Sequence, residues 1–135
     1  MNFIFKNFIS YFLISLLSTL IFIGYLDYKG YPGGEVGMAP LLMMLNCVIT
    51  ITVSIIVILL IKIITQKELS LIKNSWIFTL TYFLSLVFFF GSNPFKNYDN
   101  EIYKNVDLWS YLCVIISLLL MNTILLTRKN LTYKH

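Results

Sequence analysis

Four long apolar blocks, none of which contains Asp, Glu, Lys or Arg, constrain this chain more than any other feature. They cover residues 8–26, 41–61, 76–90 and 108–127. Each is about as long as the roughly 20 residues that a helix needs to cross a hydrocarbon layer about 30 Å thick, and the third is the shortest. Because no water reaches that depth, the backbone must satisfy its own hydrogen bonds, as it does in a helix. The blocks predict an all-α membrane protein with four transmembrane helices in an antiparallel bundle.

The composition agrees with a chain that lies mostly in lipid. Of the 135 residues, 59% are hydrophobic and 12% are charged, whereas roughly 25% of a typical soluble domain is charged. The segments between the blocks are too short to fold alone, so we expect one domain over residues 1–135. No small-x-small cleavage site follows the first apolar run, because the chain continues Gly24-Tyr25-Leu26-Asp27, and this favours a retained span over a signal peptide.

The distribution of basic residues predicts the orientation of the four spans. If both termini are cytoplasmic, seven basic residues lie inside and three lie outside, as the positive-inside rule expects for short loops. The inside set is Lys6, Lys62, Lys67, Lys73, Arg128, Lys129 and Lys134, and the outside set is Lys29, Lys96 and Lys104. Richness in Ile, Lys, Asn, Phe and Tyr fits a low-GC bacterium. We therefore expect a multi-pass protein of a bacterial inner membrane, with an organelle membrane as the alternative.

Aromatic and amphipathic residues at the block edges indicate where the headgroup zones lie. Tyr and Trp prefer this zone, because the ring sits in hydrocarbon while its polar tip stays wet. Seven such residues flank the blocks: Tyr25, Tyr28, Tyr31, Trp76, Tyr103, Trp109 and Tyr111. We expect them to form an aromatic belt. The inner connection, residues 62–75, alternates apolar and charged positions and predicts a short interfacial helix.

Small and polar side chains recur at helical spacing inside every block. Helices in lipid associate through close packing at small residues and through interhelical hydrogen bonds. The four sets are Ser15, Ser18 and Thr19; Asn46, Thr50 and Ser54; Ser75, Thr79 and Tyr82; and Ser110, Cys113 and Ser117. We expect one packing seam on each helix. The second set, called the polar seam below, has the alternative of lining a conducting path. We expect Cys47 and Cys113 to behave as small buried hydrophobes.

The side chains that catalysis or ion coupling requires are sparse in this sequence. The blocks hold no ionisable Asp, Glu, Lys or Arg, the usual mark of proton or ion coupling in a membrane. The single histidine is His135, the last residue, and no Ser-His-Asp set can be built around it. Asp99, Glu101 and Asp107 could hold a divalent cation, but the interleaved lysines favour a solvated loop. We expect no catalytic, cofactor or metal site, no nucleic-acid partner and no small-molecule substrate.

The segment YPGGEVGMAP, residues 31–40, is the most glycine-rich part of the chain. Its glycines form GGxxG, which matches neither the dinucleotide-binding fingerprint nor a P-loop. Pro40 suits the first turn of the second span, where a missing N–H has no cost. Gly33 and Gly34 suit a tight reversal. The segment is therefore predicted to be an outer bend that presents Glu35.

These observations favour a non-catalytic membrane protein that acts by contact with another membrane protein or with itself. It would be a subunit of a membrane complex, or an accessory or immunity-type factor. We expect the contact residues in the outer loops to be Glu35, Tyr31, Asp99 and Glu101. The alternative is a small oligomeric channel or transporter subunit, in which the polar seam lines the path.

Overall fold

Four α-helices make up most of the part of the chain that the structure, a computed structural model, describes. That part comprises residues 2–31, 36–91 and 101–132, with side chains described as far as residue 127. The helices are α1 (Phe3–Lys29), α2 (Ala39–Thr65), α3 (Leu71–Phe90) and α4 (Glu101–Thr132), and a 3₁₀ turn, Val36–Met38, precedes α2. All four are long and apolar enough to cross a membrane. The predicted spans are confirmed as helices, and the chain has the character of a multi-pass membrane protein.

The helix ends follow from local backbone chemistry. Gly30 ends α1 in the left-handed conformation, with φ 59°, and its N–H donates to the carbonyls of Leu26 and Asp27. Gly91 ends α3 in the same way, with φ 62°. Glycine adopts this conformation without the steric cost that a side chain brings. Pro40 lies in the first turn of α2, as predicted.

The predicted interfacial helix over residues 62–75 is wrong. α2 continues to Thr65 and ends at Gln66, which has φ 52°, and α3 begins at Leu71. The Ser70 hydroxyl accepts the backbone N–H of Lys73 at 3.4 Å and caps the start of α3. Two long helices therefore extend into the connection and leave five residues, 66–70, between them. The amphipathic pattern belongs to the ends of two spans.

The helices are also longer than the apolar blocks that predicted them. α4 begins at Glu101, seven residues before residue 108. A carboxylate in the first turn is favourable there, because the N-terminus of a helix carries a partial positive charge. Backbone hydrogen bonding continues past the apolar boundary, so hydropathy located the spans but underestimated the helices.

The four helices pack as a bundle. α1 contacts all three other helices, most extensively α4, while α2 packs mainly on α3. Large fully buried side chains form two clusters, one around Phe22, Met43 and Tyr82 and the other around Tyr11 and Phe78. Many large apolar residues remain exposed on the outside of the bundle, as expected of surfaces that face lipid: Phe12, Leu20, Leu42, Ile64, Leu80 and Phe88 are examples.

Contacts between helix termini define two ends of the bundle. At the first, Lys62 near the end of α2 lies 4.8 Å above the ring of Phe3 at the start of α1, and pairs with Glu68 at 2.6 Å. At the second, Tyr25 near the end of α1 stacks on Trp109 near the start of α4, with ring centroids 4.3 Å apart. We call these the amide end and the aromatic end, after the side chains described next.

Candidate functional site

Every residue of the four predicted packing seams is buried in the bundle. The twelve side chains are at most 8% exposed. Eight of them, including the whole polar seam, have an exposed fraction of 0%: Ser18, Asn46, Thr50, Ser54, Ser75, Tyr82, Cys113 and Ser117. The helical spacing of small and polar residues therefore located the inward face of each helix. Cys47 and Cys113 are free thiols and buried, as expected.

The polar seam joins α2 to α3. The Ser85 hydroxyl donates to Oδ1 of Asn46 at 2.6 Å, and the Thr50 hydroxyl lies 3.1 Å from the Ser85 hydroxyl. The Asn46 amide nitrogen approaches the carbonyl of Tyr82 at 3.4 Å. Ser54 is also buried, but its hydroxyl has no hydrogen-bond partner among the residues that the structure describes. Asn46 and Thr50 thus lie in an interhelical network inside one chain.

A second polar cluster, at the amide end, joins α1, α3 and α4. The Asn74 side-chain nitrogen donates to Oδ1 of Asn7 at 2.8 Å, and the Tyr11 hydroxyl donates to the carbonyl of Asn74 at 3.1 Å. The Ser75 hydroxyl donates to Oδ1 of Asn122 at 3.0 Å. All five residues are buried. This cluster fixes the relative position of three helices.

Sequence reasoning missed most of the amide end. Asn7 and Asn74 lie just outside the predicted spans, one and two residues before blocks that start at residues 8 and 76. Asn122 lies inside the fourth block. An asparagine at the edge of an apolar block is usually assigned to the headgroup region, where it needs no protein partner. The available signal was that an asparagine lies one or two residues before each of these two apolar blocks.

Rings, rather than amides, dominate the opposite end. Besides the Tyr25–Trp109 stack, the Tyr25 hydroxyl lies 3.1 Å from that of Tyr31. Phe83 and Tyr111 meet edge to face at 5.0 Å. Such aromatic pairs contribute roughly 0.5–1.5 kcal/mol beyond their buried area.

The predicted aromatic belt is therefore only partly present. Tyr28 and Trp76 are 84% and 48% exposed, as belt residues should be. Tyr25 and Tyr111 are instead buried, at 9% and 8%. The prediction was wrong for these two because preference for the headgroup depth does not tell whether a ring turns to lipid or to a neighbouring helix.

Two of the four predicted contact residues lie in the described part of the chain, and two lie outside it. Tyr31 is half-buried and packs on Tyr25. Glu101 is exposed in the first turn of α4. Glu35 and Asp99 lie outside the described residues. Within the described ranges, no group of three or more His, Cys, Asp or Glu side chains is arranged to hold a metal ion.

Comparisons of the chain with models of known protein families, with curated proteins and with solved structures found no match.

Proposed function

We propose that the chain is a non-catalytic membrane protein that acts by contact with another membrane protein, as a complex subunit or as an accessory or immunity-type factor. One observation carries the proposal. The polar side chains that could line a path between copies of the chain are buried inside a single bundle, where Asn46 and Thr50 bond to α3. Side chains occupied in this way stabilise the fold, and partner recognition is left to the exposed ends.

We place the contact surface at the aromatic end. Tyr31 and Glu101 belong to it in the described part of the chain, and the proposal adds Glu35 and Asp99 from the neighbouring segments. Trp109 and Tyr25 stack beneath Tyr31 and give it a rigid support. Tyrosine on a rigid support is a frequent anchor in protein interfaces, because little side-chain entropy is lost when it binds.

The proposed topology is an antiparallel bundle with both termini in the cytoplasm of a bacterial cell. The end-to-end contacts support it, since Phe3 lies beside Lys62 and Tyr25 lies beside Trp109. The basic residues support the direction, because seven of the ten fall on the side proposed to be cytoplasmic.

The rival function, an oligomeric channel lined by the polar seam, requires those side chains on the surface of each copy. Asn46, Thr50 and Ser54 are 0% exposed. A pore built on them would require the α2–α3 contact to open. The burial of these residues therefore favours the contact protein.

Site-specific photo-crosslinking tests the proposed contact surface in native membranes. A photoreactive phenylalanine analogue replaces Tyr31 in one variant and Glu101 in another. The control carries it at Lys67, an exposed residue in the connection at the amide end. We expect both aromatic-end positions to crosslink the same membrane protein and the control position to crosslink neither that protein nor another.

Flux measurement in liposomes tests the rival directly. If purified protein conducts ions or solutes and Asn46→Leu or Thr50→Val abolishes the flux, the contact proposal is wrong. If crosslinking succeeds and liposomes show no flux, the rival is excluded. Membrane-impermeant maleimide labelling of Lys29→Cys and Lys67→Cys in intact cells tests the orientation, and we expect only the first to react.

A further inference from the structure

Two grooves of nearly equal size run along α1 on the outside of the bundle. One, of about 260 Å³, lies between α1 and α4, and we call it the α4 groove. The other, of about 250 Å³, lies between α1 and α2, and we call it the α2 groove. Neither has a charged side chain in its described walls. Size and wall chemistry therefore do not distinguish the two grooves, and any selectivity must come from the residues at their ends.

The α4 groove is apolar and open to lipid. Leu13, Leu20 and Ile124 form part of its walls and are 42%, 57% and 59% exposed. Ser117 also lines it, but its hydroxyl donates to the carbonyl of Cys113 at 2.8 Å and is fully buried. An engineered cavity of about 150 Å³ holds benzene, so a groove of this larger volume accommodates a stretch of acyl chain.

Lys6 lies on the same face of α1 as the α4 groove, towards the amide end. Leu13 and Leu17 line the groove and follow Lys6 by seven and eleven residues, which are same-face spacings on a helix. They lie about 10 and about 16 Å from Lys6 along the axis, at 1.5 Å per residue. Lys6 is two residues outside the first apolar block. The groove therefore lies at acyl-chain depth when Lys6 lies among the headgroups, because one leaflet has about 15 Å of hydrocarbon.

The two grooves differ in the charge at their amide ends. Lys6 is exposed, and its ammonium group has no partner among the residues that the structure describes. The corresponding cation of the α2 groove is Lys62, which follows the wall residue Ile51 by eleven residues. Lys62 pairs with Glu68 at 2.6 Å. The α4 groove thus ends at a free positive charge, whereas the α2 groove ends at a neutralised pair.

The register of α4 places a second basic residue at the same end of the α4 groove. Met121 and Ile124 line the groove, and Arg128 follows them by seven and four residues in a helix that continues to Thr132. These spacings keep to one face of the helix. The faces of α1 and α4 that form the groove therefore both reach a basic position at the amide end.

We propose that the α4 groove binds an anionic phospholipid, with an acyl chain along Leu13, Leu17 and Met121 and the phosphate beside Lys6. Charge complementarity selects the lipid, because a zwitterionic headgroup carries a cation that offsets the attraction of its phosphate. One lysine at a membrane surface favours an anionic lipid by about fivefold. The site is independent of the proposed contact surface, since Tyr31 and Glu101 belong to the opposite end.

Paramagnetic relaxation in nanodiscs tests the proposal on the full chain. The five methionine methyls are labelled for NMR, and Met121 reports on the α4 groove while Met44 reports on the α2 groove. The nanodiscs are phosphatidylcholine with a small fraction of lipid that carries a nitroxide midway along one acyl chain. This lipid is phosphatidylglycerol in one sample and phosphatidylcholine in the other. We expect labelled phosphatidylglycerol to relax Met121 at least about fivefold more strongly, and both lipids to relax Met44 equally.

Three variants make the test specific. Lys6→Gln should lower the preference for phosphatidylglycerol at Met121 by about fivefold. Lys73→Gln is the matched control, because it removes an exposed lysine from the first turn of α3, and no described residue of α3 lines the groove. It should leave the preference unchanged. Leu13→Trp fills the groove while keeping Lys6 and should abolish the preference. If Leu13→Trp alters the Met44 signal and so disturbs the fold, Lys6→Gln carries the test.

Four results would each overturn the proposal. The first is equal relaxation of Met121 by the two lipids, and the second is an equal loss of preference in Lys6→Gln and Lys73→Gln. The third is a preference that persists in Leu13→Trp with an unchanged Met44 signal, since the headgroup would then be attracted without an acyl chain in the groove. The fourth is relaxation of Met121 by neither lipid, which would indicate that another helix fills the groove.

Discussion

The two ends of the bundle are held together by different chemistry. At the amide end, side-chain amides and hydroxyls connect α1, α3 and α4, with Asn74 bonded to Asn7 at 2.8 Å. At the aromatic end, the same helices meet through rings, with Tyr25 stacked on Trp109 at 4.3 Å. The same three helices are therefore held together by polar contacts at one end and by ring contacts at the other.

The difference shows what stabilises a small bundle in lipid. Burial of apolar surface drives association weakly there, because lipid tails are as apolar as the side chains. Hydrogen bonds and close packing must therefore determine which helix faces pair with each other. The amide end uses directional bonds between few atoms, whereas the aromatic end uses large contact areas and also leaves room for a cavity. The following substitutions test that contrast, in order of expected effect.

The largest effect is expected from Tyr25→Ala, which removes the ring stacked on Trp109. We expect a loss of about 2 kcal/mol in the free energy of unfolding. This is below the range of about 3–5 kcal/mol for large aromatic truncations in water-soluble cores, because separated helices remain in lipid. Titration with sodium dodecyl sulfate in mixed micelles, followed by circular dichroism, measures it. Tyr28→Ala is the control, since Tyr28 is 84% exposed, and a comparable loss there would contradict the proposed role of the stack.

The amide end is tested by Asn74→Ala. This change leaves Oδ1 of Asn7 without its donor, and we expect a loss of about 1–2 kcal/mol in the same assay. The control is Asn105→Ala, because Asn105 is exposed in the first turns of α4. It should change the midpoint of the detergent-unfolding transition little. If Asn74→Ala lowers the free energy of unfolding by more than Tyr25→Ala does, the amide end contributes more stability than the aromatic end. Directional hydrogen bonds would then be the main source of stability in the bundle.

The polar seam offers a closely matched pair of threonines between the two ends. Thr50 bonds across to Ser85, whereas the exposed Thr52 donates only to the carbonyl of Val48 in its own helix, at 3.1 Å. Thr50→Val should lower the free energy of unfolding by about 0.6 kcal/mol, the average for interhelical hydrogen bonds in membranes. Thr52→Val should lower it by no measurable amount. Equal effects of the two substitutions would mean that the α2–α3 bond contributes no stability.

The smallest effect is expected at the Lys62–Glu68 ion pair beside the amide end. Both side chains are substantially exposed, at 41% and 54%, so water and salt screen their attraction. Glu68→Gln should lower the free energy of unfolding by less than about 0.5 kcal/mol at low salt and leave it unchanged in concentrated salt. Detergent-unfolding midpoints at two salt concentrations provide the comparison, and a salt-independent loss would indicate a packing role for Glu68.

Local patterns in the sequence were enough to predict the number of spans and the inward face of each helix. The apolar blocks predicted four helices, and the spacing of Ser15, Ser18 and Thr19, like that of the polar seam, identified residues that are all buried. These properties depend on a few consecutive turns of one helix. The lipid environment imposes them on each span separately, so they appear in the sequence of that span.

Only the tertiary structure decided which side chains from different helices meet. Asn7 and Asn74 are 67 positions apart, and no spacing rule connects them. The sequence predicts the depth of Tyr25 in the membrane, whereas the direction in which its ring turns depends on its contact with Trp109. A cavity of about 140 Å³ at the aromatic end is lined by Phe22, Tyr82 and Asp107, which come from three helices. The sequence determined the helices and their faces because hydropathy and hydrogen bonding are local; the pairing of those faces was decided by packing between distant segments.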